Sequence, residues 1–146
     1  RFATGQSVPE DKVNPYYAAV ARFFEERKAL TLGAELVVLN ERHKYAGTVD
    51  LIAALDGPGG KRWLIDWKTS AAVYPEYELQ LAAYAWAYES IGSDGAVAAM
   101  PRVDRAAVVL LRKDGHYEFH ETGIGFQMLD TFLAVKTAWS FLHERE

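Results

Sequence analysis

The chain has 146 residues, of which 50% are apolar and 25% charged, a composition typical of an ordinary globular domain. Its formal charge of −4 argues against a broad basic surface for nucleic acid, although metal-binding carboxylates would contribute to that total. The absence of cysteine excludes disulfides, thiolate metal sites and iron–sulfur clusters. Because the sequence also lacks a membrane-spanning apolar run and a signal-peptide pattern, we expect residues 1 to 146 to form one domain without a membrane partner.

A helix and a strand are the first predicted elements. Residues 1 to 13 are predicted to be a loop, and Asn14 followed by Pro15 is a typical helix start. Apolar residues then recur at helical spacing to about residue 30. Residues 35 to 41 alternate as a strand, which would place Glu35, Val37, Leu39 and Glu41 on one face.

Two further strands carry the most informative charges. Residues 47 to 52 and 64 to 70 are apolar segments joined by the turn-rich residues 56 to 60, which predicts a hairpin. Asp66 and Lys68 are two positions apart, so they should lie side by side on one face of their strand. Asp50 lies within the preceding strand, so three charges converge on one small sheet.

These charges need compensation, because an ion transferred from water to a protein interior loses several kcal/mol of solvation. One interpretation is a structural ion pair between Asp66 and Lys68, with Asp50 at a solvated strand end. The other is a divalent-cation site, because carboxylates are the hard oxygen ligands that Mg²⁺ and Mn²⁺ prefer. The residues alone leave both interpretations open.

The second half of the chain completes a mixed α/β pattern. Pro75 begins a helix that should extend to about residue 90 or 91, and Gln80 and Tyr84 share one of its faces. Residues 92 to 102 are predicted to be a loop. Strands are expected over residues 106 to 111 and 117 to 121, and a final helix from about residue 126 to 142 should cover the sheet. The order helix, three strands, helix, two strands, helix predicts an α/β sandwich with a mixed sheet.

Three of these segments, taken in order, resemble a known family. They are Gly47-Thr48-Val49-Asp50, Ile65-Asp66-Trp67-Lys68-Thr69-Ser70 and Gln80-Leu81-Ala82-Ala83-Tyr84. Together they are similar to the RecB-like branch of the PD-(D/E)XK nucleases, especially to phage-type exonucleases and the mitochondrial genome maintenance exonuclease. The resemblance implies a restriction-endonuclease-like core, in which a mixed central β-sheet is flanked by α-helices.

The resemblance also implies roles for individual residues. Asp50, Asp66, Glu35 and the backbone carbonyl of Trp67 would hold one or two Mg²⁺ or Mn²⁺ ions. Lys68 would position or activate the attacking water, while Gln80 and Tyr84 would support the lysine and bind the DNA backbone. The branch usually has a metal-binding histidine on a helix far upstream. His43 is the first histidine here and does not occupy that position, so that ligand would precede Arg1 or the site would work without it.

The implied activity is metal-dependent hydrolysis of DNA, by an exonuclease acting on ends with single strands favoured. Its setting would be the cytoplasm of a bacterial or phage-infected cell, and a mitochondrial setting is compatible. Because the sequence contains no nucleotide-binding motif, a helicase, recombinase or replication partner would supply any ATP-driven work. Two alternatives are an inactive nucleic-acid-binding or assembly module with the same fold, and a hydrolase of small phosphates. Oligomeric state, strand preference and polarity stay open.

Overall fold

The computed structural model describes residues 14–143, which form three helices and one seven-stranded mixed sheet. The helices are α1 (Tyr17–Glu26), α2 (Pro75–Ala85) and α3 (Phe126–His143). The strands are β1 (Leu30–Asn40), β2 (Tyr45–Ala54), β3 (Arg62–Lys68), β4 (Glu89–Ile91), β5 (Val97–Ala99), β6 (Arg105–Leu111) and β7 (Tyr117–Thr122).

The strand order across the sheet is β5-β4-β1-β2-β3-β6-β7. The pair β3 and β6 is parallel, whereas every other neighbouring pair is antiparallel. The parallel pair requires a crossover, and α2 lies within that connection. The β2–β3 hairpin and the mixed sheet therefore agree with the sequence prediction.

Two apolar clusters cover the two faces of the sheet. On one face, α1 contributes Ala19, Val20 and Phe23, which pack with Leu51 of β2 and Ile65 of β3. Trp67 belongs to the same cluster, where its ring lies 5.2 Å from that of Phe23 in an edge-to-face arrangement. On the opposite face, Leu81 of α2 packs on the sheet residues Val38, Val49, Ile52, Leu64, Val108 and Leu110. The central strands are thus buried on both sides.

The end of α2 differs from the sequence prediction. We expected the helix to reach residue 90 or 91 and a loop to follow, but α2 ends at Ala85 and the strands β4 and β5 come next. The Tyr88 N–H donates to the carbonyl of Leu39 at 2.9 Å, and β4 then pairs with β1. The edge of β1 would otherwise leave backbone groups unpaired, so this tertiary contact overrides the local preference for helix. The three residues of β5 are exposed and give no hydrophobic alternation to detect.

The first and last helices also differ from expectation. The side chain of Asn14 accepts the N–H of Tyr16 at 2.8 Å, close to the predicted helix start. Helix α1 itself begins at Tyr17 and ends at Glu26, short of residue 30. The final helix α3 was expected to cover the sheet, but it packs against α2 and buries only Leu129 among its described side chains. Val135, Trp139 and Leu142 are exposed. None of the helices in residues 14–143 is both long and apolar enough to cross a membrane.

Candidate active site

The site lies where β2 and β3 stop pairing. Their antiparallel pairing runs from Ala54 opposite Arg62 to Leu51 opposite Ile65, and the next positions are Asp50 and Asp66. Beyond that point, β3 continues beside β6 as far as Lys68, which pairs with Leu110. The carboxylate of Asp50 accepts the Trp67 N–H at 2.9 Å. A side chain thus replaces the backbone hydrogen bond of the hairpin and fixes Asp50 beside the third strand.

Asp66 and Lys68 lie side by side on the face of β3 that α2 covers. Asp66 exposes only 7% of its surface, and its Oδ2 atom is 3.1 Å from Nζ of Lys68. This ion contact lacks hydrogen-bond geometry, so Oδ2 is a buried oxygen without a hydrogen bond among the described residues. Trp67 points to the opposite face, as the strand alternation predicts.

Burial and a neighbouring acid make the charged form of Asp66 costly. Burial has the largest effect on Asp66, followed by a hydrogen bond with the Asp50 carboxylate and then repulsion by its charge. Together these effects raise the pKa of Asp66 to about 7, although Lys68 opposes the rise. Burial is the largest single effect on the Lys68 ammonium and lowers its pKa, but the charge and hydrogen bond of Asp66, together with the charge of Asp50, outweigh burial and raise the pKa of Lys68 overall. Lys68 is therefore a cation and a hydrogen-bond donor at neutral pH. Asp66, by contrast, needs a proton or a further cation.

Helix α2 supplies the residues above this pair. The Lys68 Nζ lies 4.8 Å from the centre of the Tyr77 ring, a cation–π contact. Burial, then the charge of Asp66, raises the pKa of Tyr84, whereas a hydrogen bond with Gln80 lowers it. Helical spacing in the sequence predicted that Gln80 and Tyr84 share a face of α2, and the hydrogen bond between their side chains agrees with that prediction. The same spacing marked Tyr77 only as an apolar residue, although its position three residues before Gln80 was a usable signal.

Gly47 allows Tyr84 to approach the sheet. A Cβ atom at this position would overlap the Tyr84 ring, so any larger residue must displace the tyrosine. The hydroxyl of Tyr45 also donates to the carbonyl of Ala83 at 2.6 Å and ties the same part of α2 to β2. The glycine of the first motif and the tyrosine of the third are therefore in contact.

Glu35 lies on β1 in the register position alongside Asp50, because its neighbours Ala34 and Leu36 pair with Leu51 and Val49. Its side chain is exposed and its backbone is left-handed, with φ 49°. The described residues contain no group of three His, Cys, Asp or Glu side chains that could hold a metal ion. The structure thus brings Asp50, Asp66 and Lys68 together, but it does not complete a three-residue ligand set with Glu35.

Arg112 holds the segment that follows Lys68. Its guanidinium donates to the carbonyls of Ser70 at 2.8 Å and Ala71 at 3.2 Å, and it also pairs with Glu118 at 2.7 Å. In the sequence, Arg112 is recognisable only as part of a small basic cluster. Its position after β6 shows that it anchors a loop near the site.

The residues present fit a hard divalent cation. The Oδ2 atom of Asp66 is a buried carboxylate oxygen without a hydrogen bond among the described residues, and a second carboxylate, Asp50, adjoins it. Two neighbouring carboxylates repel each other, and either a shared proton or a bound cation relieves that repulsion. Water molecules would have to complete the coordination, as is usual for Mg²⁺.

The chain has a mixed sheet flanked by helices, and two carboxylates and a lysine lie where its β2–β3 hairpin opens. This is the restriction-endonuclease-like arrangement of α/β proteins. A family model described as the PD-(D/E)XK nuclease superfamily matches residues 8–126, and the chain belongs to that superfamily. A search of curated proteins found no significant match.

Proposed function

We propose that this chain is a metal-dependent deoxyribonuclease that hydrolyses phosphodiester bonds. Membership of the nuclease superfamily supports hydrolysis of nucleic acid. The observation that carries the proposal is the buried Asp66 carboxylate, which adjoins Asp50 and lies 3.1 Å from Lys68. A purely structural ion pair between Asp66 and Lys68 would leave the Asp50 carboxylate with the Trp67 N–H as its hydrogen-bond donor but no cation of its own, whereas a cation site uses both carboxylates.

In the proposed mechanism, Asp50 and Asp66 would hold Mg²⁺ or Mn²⁺. The Trp67 carbonyl and Glu35 are the further ligands that the family resemblance implies, although Glu35 does not group with the two aspartates among the described residues. When bound, the cation polarises the scissile phosphate and lowers the pKa of the attacking water. The Trp67 N–H fixes the orientation of Asp50. The Lys68 ammonium donates a hydrogen bond to the attacking water or to the phosphate and offsets developing negative charge. Gln80 and Tyr84 bind the DNA backbone from α2.

We further propose that the enzyme belongs to the RecB-like branch and acts as an exonuclease on DNA ends, with single strands favoured. The motif carrying Gln80 and Tyr84 supports this assignment, because Tyr84 lies close enough to Asp66 and Lys68 for their charges to shift its pKa and Gln80 hydrogen-bonds to Tyr84. The partner in this proposal is a helicase, recombinase or replication protein that presents the DNA end.

The test is cleavage of single- and double-stranded DNA labelled at one end, in Mg²⁺, in Mn²⁺ and in EDTA. We expect cleavage that requires metal, and a loss of at least a hundredfold in Lys68→Ala, because general acid–base and electrostatic groups each contribute roughly that much. The product ladder distinguishes stepwise removal of nucleotides from internal cutting. Undiminished cleavage by Lys68→Ala would contradict the assigned role of the lysine.

A second candidate function is nucleic-acid binding or assembly without catalysis. It is favoured by the lack of a third acidic or histidine ligand in a metal-holding group among residues 14–143. Binding of DNA without metal-dependent cleavage would support this function over the first one. Isothermal titration with Mn²⁺ also separates the two functions. A nuclease should bind Mn²⁺, and Asp66→Asn should abolish that binding, whereas an inactive module has no need of such a metal site.

A further inference from the structure

A small cavity of about 260 Å³ lies away from the acidic pair, between the end of α2, the start of α3 and the turn between β1 and β2. Trp86, Tyr88 and Phe126 form its walls, and the buried Leu129 forms its floor. We call this cavity the aromatic notch. Its volume is below the roughly 300 Å³ at which drug-sized pockets begin, so it suits a single planar ring.

The walls of the aromatic notch are held in place while remaining accessible. The indole N–H of Trp86 donates to the carbonyl of Ile124 at 2.8 Å, and its ring meets Phe126 edge to face at 5.8 Å. Trp86 is 36% exposed, Tyr88 49% and Phe126 60%. Because the hydrogen bond fixes the Trp86 ring and the ring contact supports Phe126, these two rings lose little conformational entropy when another ring stacks on them.

The two rims of the aromatic notch carry opposite charges. Arg42 and His43 line it from the β1–β2 turn, and Asp130 lines it from α3. The backbone N–H of His43 donates to the side chain of Asn40 at 3.0 Å, which fixes the turn, and the Asn40 amide in turn donates to the carbonyl of Trp86. A phosphate is attracted to the Arg42 rim and repelled by the Asp130 rim, so the strand carrying it would run along the turn.

We propose that the aromatic notch binds one base of single-stranded nucleic acid, with the adjoining phosphate on the Arg42 side. The proposal rests on the proposed nuclease function and adds a contact remote from the acidic pair. Stacking on aromatic rings accepts any base and needs no base-edge readout, whereas paired bases in a duplex do not offer their faces. The aromatic notch would therefore favour single strands.

The aromatic notch lies several nucleotides from the site of cleavage. Tyr45 begins β2 beside the turn, and Asp50 is five residues further along that strand, which is on the order of 17 Å at about 3.3 Å per residue. A stacked duplex strand advances about 3.4 Å per nucleotide, so at most roughly five nucleotides span this length, and an extended single strand needs fewer. A dinucleotide at the acidic pair cannot reach the aromatic notch, but a dodecanucleotide can.

The test measures binding of fluorescein-labelled dT12 by anisotropy in EDTA, with Lys68→Ala as the parent so that no cleavage occurs. We expect Phe126→Ala and Trp86→Ala each to raise the Kd on the order of tenfold. Arg42→Ala should weaken binding and flatten its salt dependence, whereas Asp130→Asn should strengthen binding. Trp139→Ala is the matched control, because Trp139 is equally exposed on α3 but lies outside the aromatic notch; its Kd should equal that of the parent.

Circular dichroism checks that each variant folds. If Trp86→Ala does not fold, Phe126→Ala alone decides the test, because Phe126 is largely exposed and its removal should leave the fold intact. An unchanged Kd in Phe126→Ala, or no binding of dT12 by the parent, overturns the proposal. The failures are distinguishable. If notch variants weaken binding but the wild-type chain cleaves no DNA, the nuclease function fails alone. If the wild type cleaves DNA but Phe126→Ala leaves the KM for a dodecanucleotide unchanged, the aromatic notch fails alone.

Discussion

Replacement of Asp66 by asparagine should stabilise the metal-free protein while abolishing cleavage. Asparagine has the shape of the neutral carboxylic acid and cannot ionise. The pKa of Asp66 is raised from 3.8 to about 7 by burial and by Asp50, a shift of roughly three units. At 1.36 kcal/mol per unit, the ionised carboxylate costs the fold on the order of 4 kcal/mol. Typical domains have only 5–15 kcal/mol of stability, so the change is easily measured.

The sign of the effect follows from the direction of the shift. Since folding raises this pKa, the stability that neutral Asp66 contributes is fully present below pH 4 and is lost as the pH rises to about 7. The difference in unfolding free energy between Asp66→Asn and the wild type should therefore be near zero at pH 4. It should grow through pH 5.5 and level off above pH 7.

Urea denaturation in EDTA at pH 4, 5.5 and 8 measures this difference. Asp104→Asn is a control of opposite sign, because the Arg62 N–H donates to Asp104 at 2.9 Å and lowers its pKa. That variant should lose stability relative to the wild type at pH 8 and recover as the pH falls. If Asp66→Asn is no more stable than the wild type at pH 8, the inference that the two carboxylates need a cation is wrong.

Two further substitutions probe the surroundings of the site. Gly47→Ala should displace Tyr84, reduce stability by about 1–3 kcal/mol and lower kcat, because overpacking forces a neighbour to move. Gly125→Ala is the control, because a Cβ atom at that position meets nothing within 4 Å. If Gly125→Ala lowers kcat as much as Gly47→Ala does, the contact between Gly47 and Tyr84 does not explain the loss. Arg112→Ala should cost about 1.5–3 kcal/mol by urea denaturation, because charge-assisted hydrogen bonds to Ser70 and its neighbour are lost. Arg112→Ala should also lower kcat. If the variant keeps both the stability and the kcat of the wild type, the hydrogen bonds of Arg112 to the segment after Lys68 are unnecessary.

Local periodicity in the sequence determined much of the fold and part of the site. The apolar strands joined by a glycine-rich turn predicted the β2–β3 hairpin, and period-two alternation predicted that Asp66 and Lys68 lie together. Helical spacing likewise placed Gln80 and Tyr84 on one face of α2. These features depend on residues a few positions apart, whose geometry the backbone alone fixes.

Other features depend on residues that meet only when the chain folds. The strand β4 exists because the edge of β1 offers hydrogen bonds to it, and no signal within residues 89–91 reveals that edge. Helix α3 has apolar residues at helical spacing, but spacing cannot tell whether the sheet, α2 or solvent lies opposite them. Local patterns therefore predicted five strands where residues 14–143 form seven, and they did not show that α3 packs mainly against α2.

The features of the site also fall into those that the sequence predicted and those that depend on the tertiary structure. The sequence by itself supplied Asp50, Asp66 and Lys68 as neighbours on paired strands. Only the tertiary structure decided that Asp66 is buried, that the Trp67 N–H holds Asp50, and that Tyr77 covers the lysine. The physical reason is that the pKa of a carboxyl group depends on the solvent and charges around it in space. Those surroundings are assembled by segments up to tens of residues apart and are absent from any local pattern.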